Sequence, residues 1–160
     1  MPANKLARKA RLLRWAMNLY PPYLGAGVRV RQISADFRHV QVKMGLGWYN
    51  RNYVGTQFGG SLYSMTDPFF MLMIMENLGR DFIVWDKAAR IDFIAPGTGP
   101  VYANFSIEQT LLDDIRAHTA EGDKYLPELH VEVRDGSGTL VARVHKTLYV
   151  RLKPRVRQAA

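Results

Sequence analysis

Residues 52–79 read NYVGTQFGGSLYSMTDPFFMLMIMENLG, and the fold turns on them because they form the longest apolar run in the chain and hold a single aspartate, Asp67. From Ser61 to Leu78 nearly every turn offers Leu, Met, Phe or Ile on several sides at once. A helix that is apolar all round belongs in a core, so the stretch predicts a long buried helix. Leu62, Met65, Phe69, Met73 and Glu76 succeed one another at spacings of three and four, with Tyr63, Phe70 and Ile74 on adjoining faces. The Gly59-Gly60 pair upstream lets a backbone come close to another group, and its amides fall at the helix start, where unpaired N–H donors gather. An oxyanion could bind there.

Asp67 is the anomaly. An unpaired carboxylate buried in such surroundings costs several kcal/mol, so it must be paired, hydrated, protonated or exposed in a cleft. Two readings are open. Asp67-Pro68 makes a good helix start, with Asp as N-cap and Pro in the first helical position. Alternatively, one longer helix begins near Gly59 and bends at Pro68, which cannot donate to the Ser64 carbonyl, and Asp67 projects from the bend into a pocket.

Working outward, residues 25–34 and 37–46 alternate Val28, Val30, Val40, Val42 and Met44 with Arg29, Arg31, Gln41 and Lys43, which predicts a two-stranded meander. A loop from Gly45 to Asn52 leads into the central helix. Beyond Gly79 a period of two recurs over 84–95, 101–109, 126–135 and 139–152, separated by the turn cluster 95–100 (APGTGP), a polar, partly helical insert at 111–125 and a hairpin turn at 135–138 (DGSG). Residues 4–20 predict a helix with Asn4 as cap, an inward stripe of Leu6, Ala10, Leu13 and Met17, basic remaining faces and a stop at Pro21-Pro22. One apolar helix followed by a long antiparallel run implies an α+β fold, a sheet curled around the helix. Residues 1–24 are expected as a basic N-terminal helix, 25–152 as the domain and 153–160 as a basic tail. Sheet edges invite pairing with a second copy, so a homo-oligomer, dimer or dimer of dimers, is expected.

Of 22 Lys and Arg, five lie in residues 1–14 and four in 151–160, where no acid occurs; the 13 that remain face 14 acidic residues, a net −1. Charge excess is confined to the two ends, so a nucleic-acid surface is not expected, while a basic amphipathic helix touching anionic lipid is one reading of the N-terminus. The chain has no cysteine, which excludes thiol nucleophiles, disulfides and Cys-based metal sites. No apolar run reaches membrane-spanning length and the N-terminus lacks a signal-peptide pattern, so a cytoplasmic protein is expected. His39, His118, His130 and His145 are scattered and make a poor metal set, and no nucleophile elbow, phosphate loop or dinucleotide fingerprint is present.

The joint pattern of Asn52, Gly59-Gly60 and Asp67, followed by Phe93-Ile94-Ala95-Pro96-Gly97, resembles the hotdog-fold acyl-CoA thioesterases of the phenylacetyl-CoA type, and most closely an uncharacterised thioesterase-like branch. The resemblance covers about residues 30–152 and implies a hotdog fold. It also implies a hydrolase acting on acyl-CoA or an acyl carrier, with coenzyme A as part of the substrate and no other cofactor. Carried over position by position, it implies Asp67 as general base or nucleophile, the Gly60 amide, with Gly59 beside it, as the donor to the thioester carbonyl, and Asn52 orienting substrate or water. The site would lie between subunits, Asp67 of one facing Asn52 and Gly60 of the other. Trp48, Phe58, Phe69, Phe70 and Met71 are acyl-binding candidates that could equally be core, and Arg51 and Arg90 could meet the coenzyme A phosphates. Phe58 stands where those enzymes commonly carry histidine, which keeps open an acyl-binding or lipid-binding protein without catalysis.

Overall fold

The structure, a computed structural model, describes residues 3–154; most of the basic tail 153–160 lies outside them. Helix α1 (Ala3–Leu19) is followed by α2 (Pro21–Ala26), strands β1 (Val28–Ile33) and β2 (His39–Met44), helices α3 (Gly59–Ser64) and α4 (Phe69–Leu78), strands β3 (Phe82–Phe93) and β4 (Val101–Ser106), helix α5 (Gln109–Thr119), and strands β5 (Lys124–Tyr125), β6 (Glu128–Asp135) and β7 (Leu140–Leu152). The strands form one antiparallel sheet in the order β1-β2-β4-β6-β7-β3, with β5 paired to β7. It is the expected α+β arrangement, a curved sheet around the central helical segment. Among the described residues β3 has β7 as its neighbour and a bare opposite edge twelve residues long.

Alternating patterns place the core. On β7 the inward register is Ala142, Val144, Lys146, Leu148 and Val150; on β4 it is Val101, Ala103 and Phe105. Helix α4 lies over this face. Its Phe69 and Phe70 rings sit 5.0 and 5.1 Å from Phe105, and Met73 and Ile74 are fully buried beside them. Burying a side chain of this size contributes roughly 1.5–3 kcal/mol, so α4 is held by packing rather than by its caps.

Three local details depart from the sequence reading. Pro21-Pro22 end α1, as expected, but they also start α2, because prolines at the first two helical positions have the φ a helix needs and no N–H to leave unpaired. Asn4 lies inside α1 rather than ahead of it. The central helix breaks rather than bends. Thr66 N–H turns back to the Tyr63 carbonyl at 2.9 Å, Asp67 N–H reaches that of Ser64 at 3.4 Å, Pro68 donates nothing, and the ladder resumes with Leu72 N–H to the Pro68 carbonyl at 2.9 Å. Asp67 therefore stands in a turn between two helices.

Candidate active site

Asp67 does not cap α4: no side-chain hydrogen bond closes that helix, and Pro68 occupies the N-cap position. Its carboxylate points across to the sheet. The Lys146 ammonium lies 2.9 Å from Asp67 Oδ1 and 2.9 Å from Asp86 Oδ2, and it donates to the Tyr63 hydroxyl at 3.2 Å. Tyr63 in turn donates to Asp67 Oδ1 at 2.9 Å. The three donors of Lys146 are thus matched by three oxygens, which is what a lysine needs where its side chain is 0 % exposed. Burial opposes its charge, but the bonds to Asp67, Asp86 and Tyr63 outweigh burial and hold the ammonium above the ordinary lysine value. Burial first, then the hydrogen bond to Asp67, pushes the Tyr63 phenol up against the opposing pull of Lys146.

Asp67 itself is 48 % exposed, and Oδ2 has no partner among the described residues. It opens on a cavity of about 350 Å³ walled by Tyr20, Tyr23, Tyr63, Ser64 and Pro68. The Tyr23 hydroxyl is buried in this wall without a hydrogen-bond partner, and its pKa is raised, by burial and then by the charge of Asp67. The cavity accordingly offers an unpartnered carboxylate oxygen, with the buried Tyr23 phenol in its wall.

The glycine pair is delivered by a loop whose polar side chains are spent on its own geometry. Asn50, buried, accepts from Gly47 N–H at 2.7 Å and donates to the carbonyls of Ala26 and Gly45 at 2.9 and 2.7 Å. Asn52 accepts from Thr56 N–H at 3.0 Å and donates to Thr56 Oγ1 and the Gln57 carbonyl. Gln57 ties the loop to the turn after β3, its own N–H meeting the Gly97 carbonyl at 2.8 Å and its side chain donating to Gly45 and Gly99. Gly97 is required by this closeness, since a Cβ there would stand 2.9 Å from Gln57 Cγ. Replacing Asn50 with Ala removes three bonds and strands buried backbone groups, so urea unfolding should show a loss of about 2–3 kcal/mol.

The Gly59 and Gly60 amides, in the first turn of α3, donate to no group among the described residues. Phe58 lies across Gly60: a Cβ built there would meet the ring at 2.6 Å. Within the chain the predicted residues do not gather in one place. Asp67 lines the cavity above, Gly60, Phe58 and Arg51 line a second, and Gly59 and Asn52 a third of about 360 Å³ with Phe93 and Pro96. Gly60 lies in the first turn of α3 and Asp67 in the turn beyond its end, and they line different cavities. Phe69 and Phe70 lie in the core against Phe105, away from any opening, because the α4 face that carries them is the one packed on the sheet. Met71 is half-buried, Trp48 and Phe58 are exposed, and Arg90 pairs with Asp92 at 3.1 Å.

The sequence reading missed Lys146, Asp86, Tyr63 as a polar partner, and Tyr23. Lys146 left a signal: it occupies an inward position of β7 between Val144 and Leu148, where an apolar residue belongs.

Three solved structures resemble this one along nearly their whole length. A protein of unknown function and probable thioesterase, PA5026 of Pseudomonas aeruginosa, superposes with a TM-score of 0.77 at 17% identity, covering 89% of this chain and 95% of that one. Thioesterase HI1161 of Haemophilus influenzae gives 0.64 at 12% identity over 88% and 89% of the chains. The E. coli PaaI protein from the phenylacetic acid degradation operon gives 0.63 at 18% over 92% and 96%. The sequence matches no curated protein. The shared architecture is the hotdog fold, thioesterase-like in its neighbours. Within it, the chain belongs to the family described as a domain of unknown function, DUF4442, whose model matches residues 8–150.

Proposed function

We propose that the protein is an acyl-thioester hydrolase of the acyl-CoA type whose site is shared between two protomers. One observation carries the reading: a carboxylate pinned at one oxygen by a buried lysine and a tyrosine, with its other oxygen free in a cavity, in the one break of an otherwise apolar helical segment. Asp67 Oδ2 takes a proton from water as the water oxygen bonds to the thioester carbonyl carbon. The tetrahedral oxyanion forms against an amide donor, the carbon–sulfur bond breaks, and the proton returns to the leaving thiolate, giving a carboxylic acid and a free thiol. A positioned base contributes roughly 10²–10⁴ in rate and an oxyanion donor about 10²–10³.

The amide donor comes from the partner's glycine pair in this reading, because Gly60 of the same chain lines a different cavity from Asp67. The bare β3 edge and the exposed apolar residues Phe58, Phe93 and Ile94 around the loop and strand end support a two-fold contact there. Asn52 then acts by holding the loop that presents the glycines, since its own polar atoms are taken. Exposed Trp48 and Phe58 and half-buried Met71 serve the acyl group, and Arg51, beside Gly60, serves the coenzyme A phosphates.

Free-thiol release from a panel of short, medium, long and aromatic acyl-CoAs tests the reading: turnover with at least one class is expected, and none with any would overturn it. The Phe58 ring lying over Gly60 favours one other reading, an acyl-binding protein without catalysis. That reading expects acyl chains retained through purification, detected by mass spectrometry, with no thiol release.

A further inference from the structure

Helix α1 does not present the plain basic face its sequence implies. Ala10 is buried, and Leu6, Leu13 and Met17 are half-buried against the body, as the inward stripe requires. The opposite side carries a second apolar stripe. Leu12 is 60 % exposed, Trp15 62 % and Leu19 67 %, and Tyr20 continues the line into the next turn of chain. Spacings of three and four put these side chains on one outward face.

Five basic residues and no acidic one lie on this helix. Two are used by the fold, Lys9 by its ion pair with Glu76 at 2.6 Å and Arg14 by its bond to the Arg31 carbonyl at 3.2 Å. Lys5, Arg8 and Arg11 have no ion-pair partner among the described residues, and they flank the outward stripe. Between α1 and α4 an apolar groove lined by Leu6, Leu13 and Leu72 also carries Arg8, Arg80 and the Lys9–Glu76 pair, so apolar surface and an excess of positive charge lie together there.

We infer that α1 is an interfacial helix that seats the protein on anionic phospholipid, Leu12, Trp15 and Leu19 entering the headgroup–acyl boundary while Lys5, Arg8 and Arg11 meet the phosphates. Large exposed apolar side chains ringed by unpaired cations are what such a surface selects. A second copy is a poorer occupant, because a two-fold contact through this face would set α1 against α1 and oppose like charges. Tyr20 belongs to both regions: it extends the stripe and walls the Asp67 cavity. A seated helix therefore brings the mouth of that cavity to the membrane plane. The docking itself does not depend on the hydrolase reading.

The test uses the full chain carrying W48F and W85F, which leaves Trp15 as the sole tryptophan. It should float with vesicles of equal phosphatidylcholine and phosphatidylglycerol at low salt and not with phosphatidylcholine alone. Trp15 emission should move to the blue and be quenched by lipids brominated high in the acyl chain. R8E/R11E should weaken partitioning about a hundredfold, and L12S/L19S should abolish the blue shift; a circular-dichroism melt matching the parent shows that both variants remain folded, as substitution at exposed sites allows. Three results would overturn the inference: no flotation with the anionic vesicles, flotation unchanged by R8E/R11E, or a lower solution mass for L12S/L19S than for the parent, which would make the stripe a contact between copies.

Discussion

Lys146→Met should lower the free energy of unfolding by about 3 kcal/mol, the low end of what removing one member of a buried ion pair costs, because Asp67 is half open to water. The substitution keeps the volume and the apolar stem and removes the one charge that faces both carboxylates. What remains is Asp67 and Asp86 without their shared counter-ion, and a Tyr63 hydroxyl without its donor. The pH dependence provides a second measurement. Lys146 in the folded chain is held above its ordinary value near 10.5, so its contribution is fully present below that pH and fades as pH climbs through the higher folded value. Wild-type stability, followed by urea unfolding, should fall in this alkaline range, and the fall should be shallower in Lys146→Met. An unfolding curve that superposes on wild type would mean that the lysine is not the keystone of the cluster.

Asp67→Asn is expected to leave the fold standing and remove roughly 10²–10⁴ of thiol-release activity, the contribution of a positioned base. The amide is nearly the same shape and its oxygen still accepts from Tyr63 and Lys146, so helix break and cavity wall stay as they are. The loss should fall on kcat with KM little changed, because the carboxylate acts on the attacking water rather than on the acyl group. Activity equal to wild type would remove Asp67 from the chemistry, whatever else the protein hydrolyses.

Much of this architecture was readable beforehand. Strict alternation located the long strands to within a few residues, Pro96-Gly97 marked the turn after β3, and the oddity of one aspartate in 52–79 singled out the carboxylate that stands at the break between α3 and α4. What stayed hidden was long-range. Lys146 is 79 residues from Asp67 in sequence, and only the sheet register turns it toward the helix break. Tyr63 looked apolar because a ring on a buried face reads as core until its hydroxyl is seen to have a partner. The outward stripe of α1 escaped notice because Leu6, Ala10, Leu13 and Met17 already satisfied the need for an inward one. Phe69 and Phe70 could not be divided between cavity and core by pattern alone, and packing on Phe105 decides for core.

The unpaired side of β3 bears on how the molecule exists at all. Among the described residues, alternate positions along its twelve residues turn amide and carbonyl away from β7, a template that any extended chain can continue, and the nearest supply of a matching strand is another molecule of the same protein. Dilution is then a structural variable: a population thin enough to keep molecules apart displays an adhesive border, and a crowded one has reason to hide it. Orderly mutual capping along that border would be the protein's defence against disorderly stacking.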